Sequence, residues 1–159
     1  MAIIANRIDG RLIHGQVANL WATKLNVGRF MIIDDEIAQS DIDKQALKLA
    51  TLAGIKLSVL PIEKAATNIK NGKYDSQRVM IIAKRPDRFV ELVNQGVQID
   101  NLNVGNMSQT NETRSITNSI NVMDEDVENF EKLQSAGVTI TSQMVPNDKA
   151  VDFMSLIKA

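Results

Sequence analysis

The chain has 159 residues, 44% of them hydrophobic and 23% charged, which fits one globular domain large enough to bury a substantial core. Eighteen basic against nineteen acidic residues leave a formal charge of -1, so no bulk field gathers nucleic acid, and the absence of cysteine excludes disulfides, thiolate catalysis and sulfur-ligated zinc. The opening MAIIANRIDG is too short in apolar residues for a signal peptide, and no apolar stretch is long enough to cross a bilayer; the expected location is the cytoplasm.

Ile3, Ile4 and Ala5 begin a short apolar run that gives way to the polar NRIDGR. In the following QVANLWATKL, apolar Val17, Leu20, Trp21 and Leu25 fall at helical spacing, with Trp21 facing the core. This reads as strand, loop, helix. The unit recurs: RFMIID is a β-rich run closed by acids, and a helix is predicted from about Ser40 to Leu52, with Ser40 and Asp41 as capping candidates and Gly54 at its end. Asp34 and Asp35 read as strand-end carboxylates that cap the following helix rather than as a Mg²⁺ pocket.

KLSVLP and RVMIIAK are further aliphatic runs, followed by helical patterns over Ile62 to Ile69 and over Phe89 to Val93, the second ending near Gly96. Next come NLNVG, the polar NMSQTNETR as the longest candidate loop, a strand over SITNSINV, a helix from about Asp124 to Ala136, the run VTITSQMV, and a last helix near Asp148 to Ile157. The alternation predicts an α/β fold: an open, mainly parallel sheet with helices on both faces, as a single domain over residues 1–159.

In such sheets ligands gather beyond the carboxyl ends of the strands. RIDGRLIHGQ follows the first strand and holds His14, the one histidine of the chain. A lone histidine is more often structural, but its neighbours argue for chemistry. Gly10 and Gly15 allow positive φ and close approach to a ligand, and Gln16 opens a helix whose first amides face outward. Arg11 and Arg7 add fixed positive charge suited to phosphate oxygens, and Asp9 is placed to orient the imidazole. Together these suit transient phosphorylation of His14. Leu12 and Ile13 either pack the loop down or form part of a docking surface. Lys84 and Arg85, before Pro86, serve an anion or a partner, or are simply a solvated strand end.

RIDGRLIHGQ closely resembles the phosphorylation loop of the IIB subunits of the mannose/fructose/sorbose family of the bacterial phosphoenolpyruvate-dependent sugar phosphotransferase system. LNVGNM, Leu102 to Met107, resembles a second segment of that family, with support from IIDDEIA, GVQIDNLNVGNM, SITNSINV and LQSAGV. The resemblance implies a phosphocarrier and enzyme. His14 would receive a phosphoryl group from a phosphohistidine on a IIA protein and pass it to a sugar bound by the membrane subunits IIC and IID.

By the same resemblance, Arg11 supports the phosphoryl group, with Asp9 and Arg7 at the loop's other charged positions. Gly105, Asn106 and Met107 are candidates for a crevice wall facing the loop, an ordinary turn being the alternative. No metal or organic cofactor is implied. The chain has no room for a fused IIA domain, so a separate donor is expected. The RLIHGQV and VGNM forms point toward N-acetylgalactosamine or a related amino sugar. A non-catalytic regulatory or anion-binding module, sensing a phosphorylated partner, is the alternative; nucleotide binding lacks G-x-G-x-x-G and a P-loop.

Overall fold

The aliphatic runs become the strands of one sheet because residues such as Phe30, Met31, Ile32 and Ile33 are covered on both faces and lose all contact with water. Burying a side chain of this size contributes about 1.5–3 kcal/mol. The computed structural model describes residues 2–14 and 16–158. In chain order the elements are β1 (Ile3–Asp9), α1 (Val17–Leu25), β2 (Arg29–Ile33), α2 (Asp41–Ala50), β3 (Lys56–Leu60), α3 (Ile62–Lys70), β4 (Val79–Ala83), α4 (Pro86–Asn94), β5 (Asn101–Asn106), β6 (Arg114–Ser115), β7 (Asn121–Val122), α5 (Asp124–Ser135), β8 (Thr139–Ser142), β9 (Val151–Asp152) and α6 (Phe153–Lys158).

The main sheet has the order β3-β2-β4-β1-β5-β8-β9; all pairs are parallel except β8 with β9. From β1 to β3 the chain steps toward one edge, and from β3 onward it steps toward the other. Right-handed crossovers in opposite directions place their helices on opposite faces. Accordingly Ala18, Trp21 and Ala22 of α1 and Leu47 of α2 share one core with Phe30, Ile32, Met80 and Ile82. Residues of α3 to α6 share the other with Met31, Ile33, Val79, Ile81 and Ala83. Travel reverses between β1 and β4, which are neighbours, so a crevice opens at their carboxyl ends.

The predicted fold class, an open and mainly parallel sheet covered on both faces in a single domain, is the one observed. Local differences have identifiable causes. SITNSINV is not one strand: β6 and β7 pair as a two-stranded antiparallel hairpin, with Ile116 and Thr117 amides donating back to the Ile120 carbonyl. The last helix is shorter than expected because the chain first adds β9 to the sheet edge. On α1, Leu20 is 47% exposed; the small residues Ala18 and Ala22 beside Trp21 let this helix lie on the sheet, leaving Leu20 outside.

At the start of α2 the cap is Ser40, whose Oγ accepts the Asp43 amide, with Asp41 as the first helical residue. The end differs from expectation: the helix stops at Ala50 with Thr51 as its C-cap, and Gly54, at φ +90°, belongs to the turn that follows. Asp34 Oδ1 accepts the amides of Glu36 and Ile37 at 3.0 and 2.9 Å, and Asp35 Oδ1 accepts the Ile62 amide at 2.9 Å. These carboxylates are engaged with backbone, and no metal-binding cluster of acidic or imidazole groups occurs among the described residues.

Arg85 turns to the face of α4 and α5, where its guanidinium meets buried Asp126 at 2.6 Å. Burial pushes the Asp126 carboxyl above its ordinary value, opposed by the Met123 amide and Arg85. Ionisation of Asp126 therefore costs the folded state, so its contribution is fully present below the unfolded pKa and declines as pH rises through the folded one. Arg85→Gln, which removes the compensating cation, is expected to lower stability by about 1–3 kcal/mol at neutral pH. The deficit should shrink in acid as Asp126 takes up a proton. Urea melts of both proteins at about pH 4.5 and about pH 7.5 test this; an equal deficit at the two values would contradict it.

Candidate active site at the carboxyl end of the first strand

The first strand runs through Asp9, further than its apolar residues alone suggest, and it carries Arg7 and Asp9 into the interior. Arg7 is 1% exposed. Its Nη1 donates to the Gln143 carbonyl at 3.0 Å and its Nη2 to the Met144 carbonyl at 2.9 Å, and Nη2 lies 3.5 Å from Asp9 Oδ2. Trp21 Nε1 donates to the same Met144 carbonyl at 3.0 Å, and the Arg7 guanidinium sits 5.5 Å from the Trp21 ring centroid. Burial pulls Arg7 below its ordinary pKa, with Asp9 opposing the shift. Arg7 is thus a buried strut under the loop, and the expectation that it contacts a phosphoryl group directly is corrected by its enclosure.

Asp9 is committed in the same way. Its Oδ1 accepts the Arg11 amide at 2.9 Å and lies 3.8 Å from Arg11 Nε. The hydrogen bond and ion pairs that the Asp9 carboxylate makes among the described residues are with Arg7 and Arg11, so it shapes the turn rather than orienting the imidazole as expected.

The loop that follows is built on a tight backbone turn. The Leu12 amide donates to the Asp9 carbonyl at 3.0 Å, and the Gly10 amide donates to the Asn106 carbonyl at 3.0 Å. Positive φ was expected at Gly10, yet it is Leu12 that adopts the left-handed conformation, at φ 58°. That conformation costs about 1–2 kcal/mol for a residue with a Cβ, and the Leu12 side chain offsets it by being 96% buried with Ile13 beside it. Gly10 serves close approach instead: a Cβ there would lie 2.8 Å from Ser108 Oγ and 3.2 Å from Asn106 Oδ1. Leu12 and Ile13 pack the loop down and leave the next residue, His14, exposed. Gly15 lies outside the described residues.

Gln16 is the N-cap of α1, without a side-chain cap, and the first turn holds no acid. Among the described residues, the first amides of α1, which begins three residues after His14, therefore have no side-chain cap and no acid of the first turn to compensate them. Across from the loop, α2 supplies Asp43, Ala46, Leu47 and Ala50 to a cavity of about 400 Å³ that is also lined by Gly10, Arg11, His14, Ile37 and Lys84. A larger groove of about 650 Å³ lies between α2 and β3 near Arg29, Lys44, Lys48 and Lys56, but no imidazole lines it.

Of the expected crevice wall, Gly105 and Asn106 do meet the β1 end, through Arg7 and Gly10 respectively. The β1–β5 register slips between Ile8 and Asp9, so Val104 and Asn106 are paired and Gly105 is the unpaired residue. A Cβ on Gly105 would overlap the Arg7 guanidinium. Met107 is not part of the wall; it is 1% exposed in the core of the other face. Lys84, by contrast, is placed in the histidine cavity, an assignment that the sequence left open and that the even-numbered inward alternation of Met80 and Ile82 could have signalled.

Residues 3–159 match the family described as PTS system sorbose subfamily IIB component. The chain belongs to that family of sugar phosphotransferase IIB components. Family members transfer phosphoryl groups to sugar. Among its relatives, the fructose-specific EIIB component of Bacillus subtilis (strain 168) is 31% identical, with 99% of this chain and 97% of that protein covered. The N-acetylgalactosamine-specific phosphotransferase enzyme IIB component 2 of Escherichia coli (strain K12) is 32% identical, with 98% of each covered. The crystal structure of the IIBSor domain of the sorbose permease from Klebsiella pneumoniae superimposes with a TM-score of 0.95 at 31% identity, covering 99% of this chain and 97% of that one. No described helix of this IIB chain is long and apolar enough to cross a membrane.

Proposed function

We propose that this IIB chain carries phosphoryl groups on His14, receiving them from a IIA phosphohistidine and giving them to a sugar held by membrane subunits IIC and IID. The observation that carries the reading is an exposed imidazole at the mouth of a cavity, flanked by Arg11 and by the uncapped start of α1. Work at the cytoplasmic face of the membrane, through contacts with IIC and IID, follows from the same reading.

In the loading step the bond from phosphorus to the donor imidazole breaks, its electron pair staying on that nitrogen, while a bond from phosphorus to a His14 nitrogen forms. In the unloading step the P–N bond to His14 breaks as a sugar hydroxyl oxygen bonds to phosphorus, and the hydroxyl proton ends on the released imidazole. Both steps move a phosphoryl group through a loose transition state with charge on its equatorial oxygens. The residues have only to position that group and answer its charge, the role this reading gives to Arg11 and the α1 amides.

The sugar is proposed to be N-acetylgalactosamine or a related amino sugar, on the strength of the RLIHGQV and VGNM forms. Relatives named for fructose, sorbose and N-acetylgalactosamine are 31–32% identical, so IIB identity alone does not rank them.

Reconstitution tests the reading. Purified protein is mixed with phosphoenolpyruvate, enzyme I, HPr and a panel of IIA proteins, and acid-labile phosphate is followed and mapped. Label on the peptide containing His14 with one IIA donor is the expected result. Stable phosphate binding at the loop without covalent label would instead identify a non-catalytic anion-sensing module.

A further inference from the structure

We infer that Lys84 is a second phosphoryl-binding cation, reaching the group on His14 from the strand next to the histidine loop. The inference rests on His14 being the acceptor.

The placement follows from the sheet. β1 and β4 pair in parallel with Ile8 opposite Ala83, so Lys84 leaves the end of β4 alongside Asp9, at the point where the direction of travel reverses. Side chains on β4 alternate: Met80 and Ile82 face α1 and α2, whereas Ile81 and Ala83 face the other layer. Lys84 continues the even series into the cavity shared by Arg11 and His14, and Arg85 continues the odd series to Asp126.

The electrostatics call for such a group. A phosphoryl group brings up to about two negative charges at neutral pH. Of the two arginines near the loop, Arg7 is enclosed and donates to carbonyls, which leaves Arg11 as the loop's available guanidinium. The cavity lining also contains a carboxylate, Asp43, which opposes an incoming anion. Lys84 forms no ion pair with Asp43 or with any other carboxylate among the described residues, and it is a half-buried residue of the cavity lining. A flexible ammonium suits a group that is gained once and released once per cycle, because its donors can follow the phosphoryl oxygens as the bond to nitrogen forms and breaks.

Rapid-quench measurement of transfer from purified phospho-IIA separates this role from others. Lys84→Gln is expected to slow transfer at saturating donor by about 10- to 100-fold while leaving the KM for donor within about threefold, and Lys84→Arg is expected to recover most of the rate. Lys84→Met, which keeps the aliphatic stem, should be as slow as Lys84→Gln, and urea midpoints should match wild type. A wild-type rate in Lys84→Gln overturns the inference. So does a rise in KM alone, which would make Lys84 a docking contact for the donor. If wild type itself takes no label, the acceptor assignment of His14 fails and this inference fails with it; label on wild type with normal transfer in Lys84→Gln removes the inference alone.

Discussion

The His14→Ala protein is expected to take no acid-labile phosphate from any IIA donor and to support no sugar phosphorylation, while melting at the same urea concentration as wild type. The two halves of that result have separate causes. Loss of label is complete because the chain contains a single histidine, so no second imidazole can substitute. Retained stability follows from exposure: His14 stands out from the loop after two buried anchors, and surface substitutions of this kind usually change stability by no more than about 0.5 kcal/mol. Arg11→Ala provides the graded comparison, with a reduced but measurable rate, since it removes one charge-assisted contact and leaves the accepting atom. Undiminished labelling of His14→Ala would place the acceptor elsewhere and end the proposal.

The second large effect is structural. Gly105→Ala is expected to destabilise the protein by about 3–5 kcal/mol, because its Cβ would occupy the space of the Arg7 guanidinium and displace a buried charge from its partners. For a chain of this size that is a fall in Tm of about 6–20 °C. Arg7 cannot step aside cheaply: two carbonyls, Asp9 and the Trp21 ring enclose it. The mechanism is tested by combination with Arg7→Met. If the clash is the cause, adding Gly105→Ala to Arg7→Met costs much less than adding it to wild type, a coupling of about 1 kcal/mol or more. Strict additivity would refute the explanation. Because the strut underlies the loop, the single variant should also label slowly even at temperatures where it remains folded.

How far these features could be read in the sequence depends on the distance over which each is determined. The strands were visible because runs such as FMII and VMIIA are both apolar and β-rich, and the first turn of α2 was visible because Ser40 meets its partner amide only three residues on. The histidine loop stood out through local density of glycine, arginine and acid. Arg7 was misjudged because its partners lie 136 and 137 positions away, so nothing nearby distinguishes a buried arginine from a loop cation. The positive φ expected at Gly10 falls on Leu12 for another reason: the left-handed backbone there is maintained by the burial of the Leu12 side chain, which outweighs a local preference that favours glycine. Leu20 faces out and Met107 faces in because helix and strand orientation follow from packing against whole layers, which spacing alone does not encode.

The attachment of Arg7 and Trp21 to the carbonyls of residues 143 and 144 also bears on how the protein comes to life. A growing polypeptide that has just completed α1 already possesses the histidine, but the floor beneath that histidine is supplied by carbonyls 123 to 137 positions further along the chain than Trp21 and Arg7. Contacts of this sequence separation are slow to close. The loop can therefore reach its final shape only after residues 143 and 144 are made and docked, so chains interrupted or cleaved before them would present a histidine without its support.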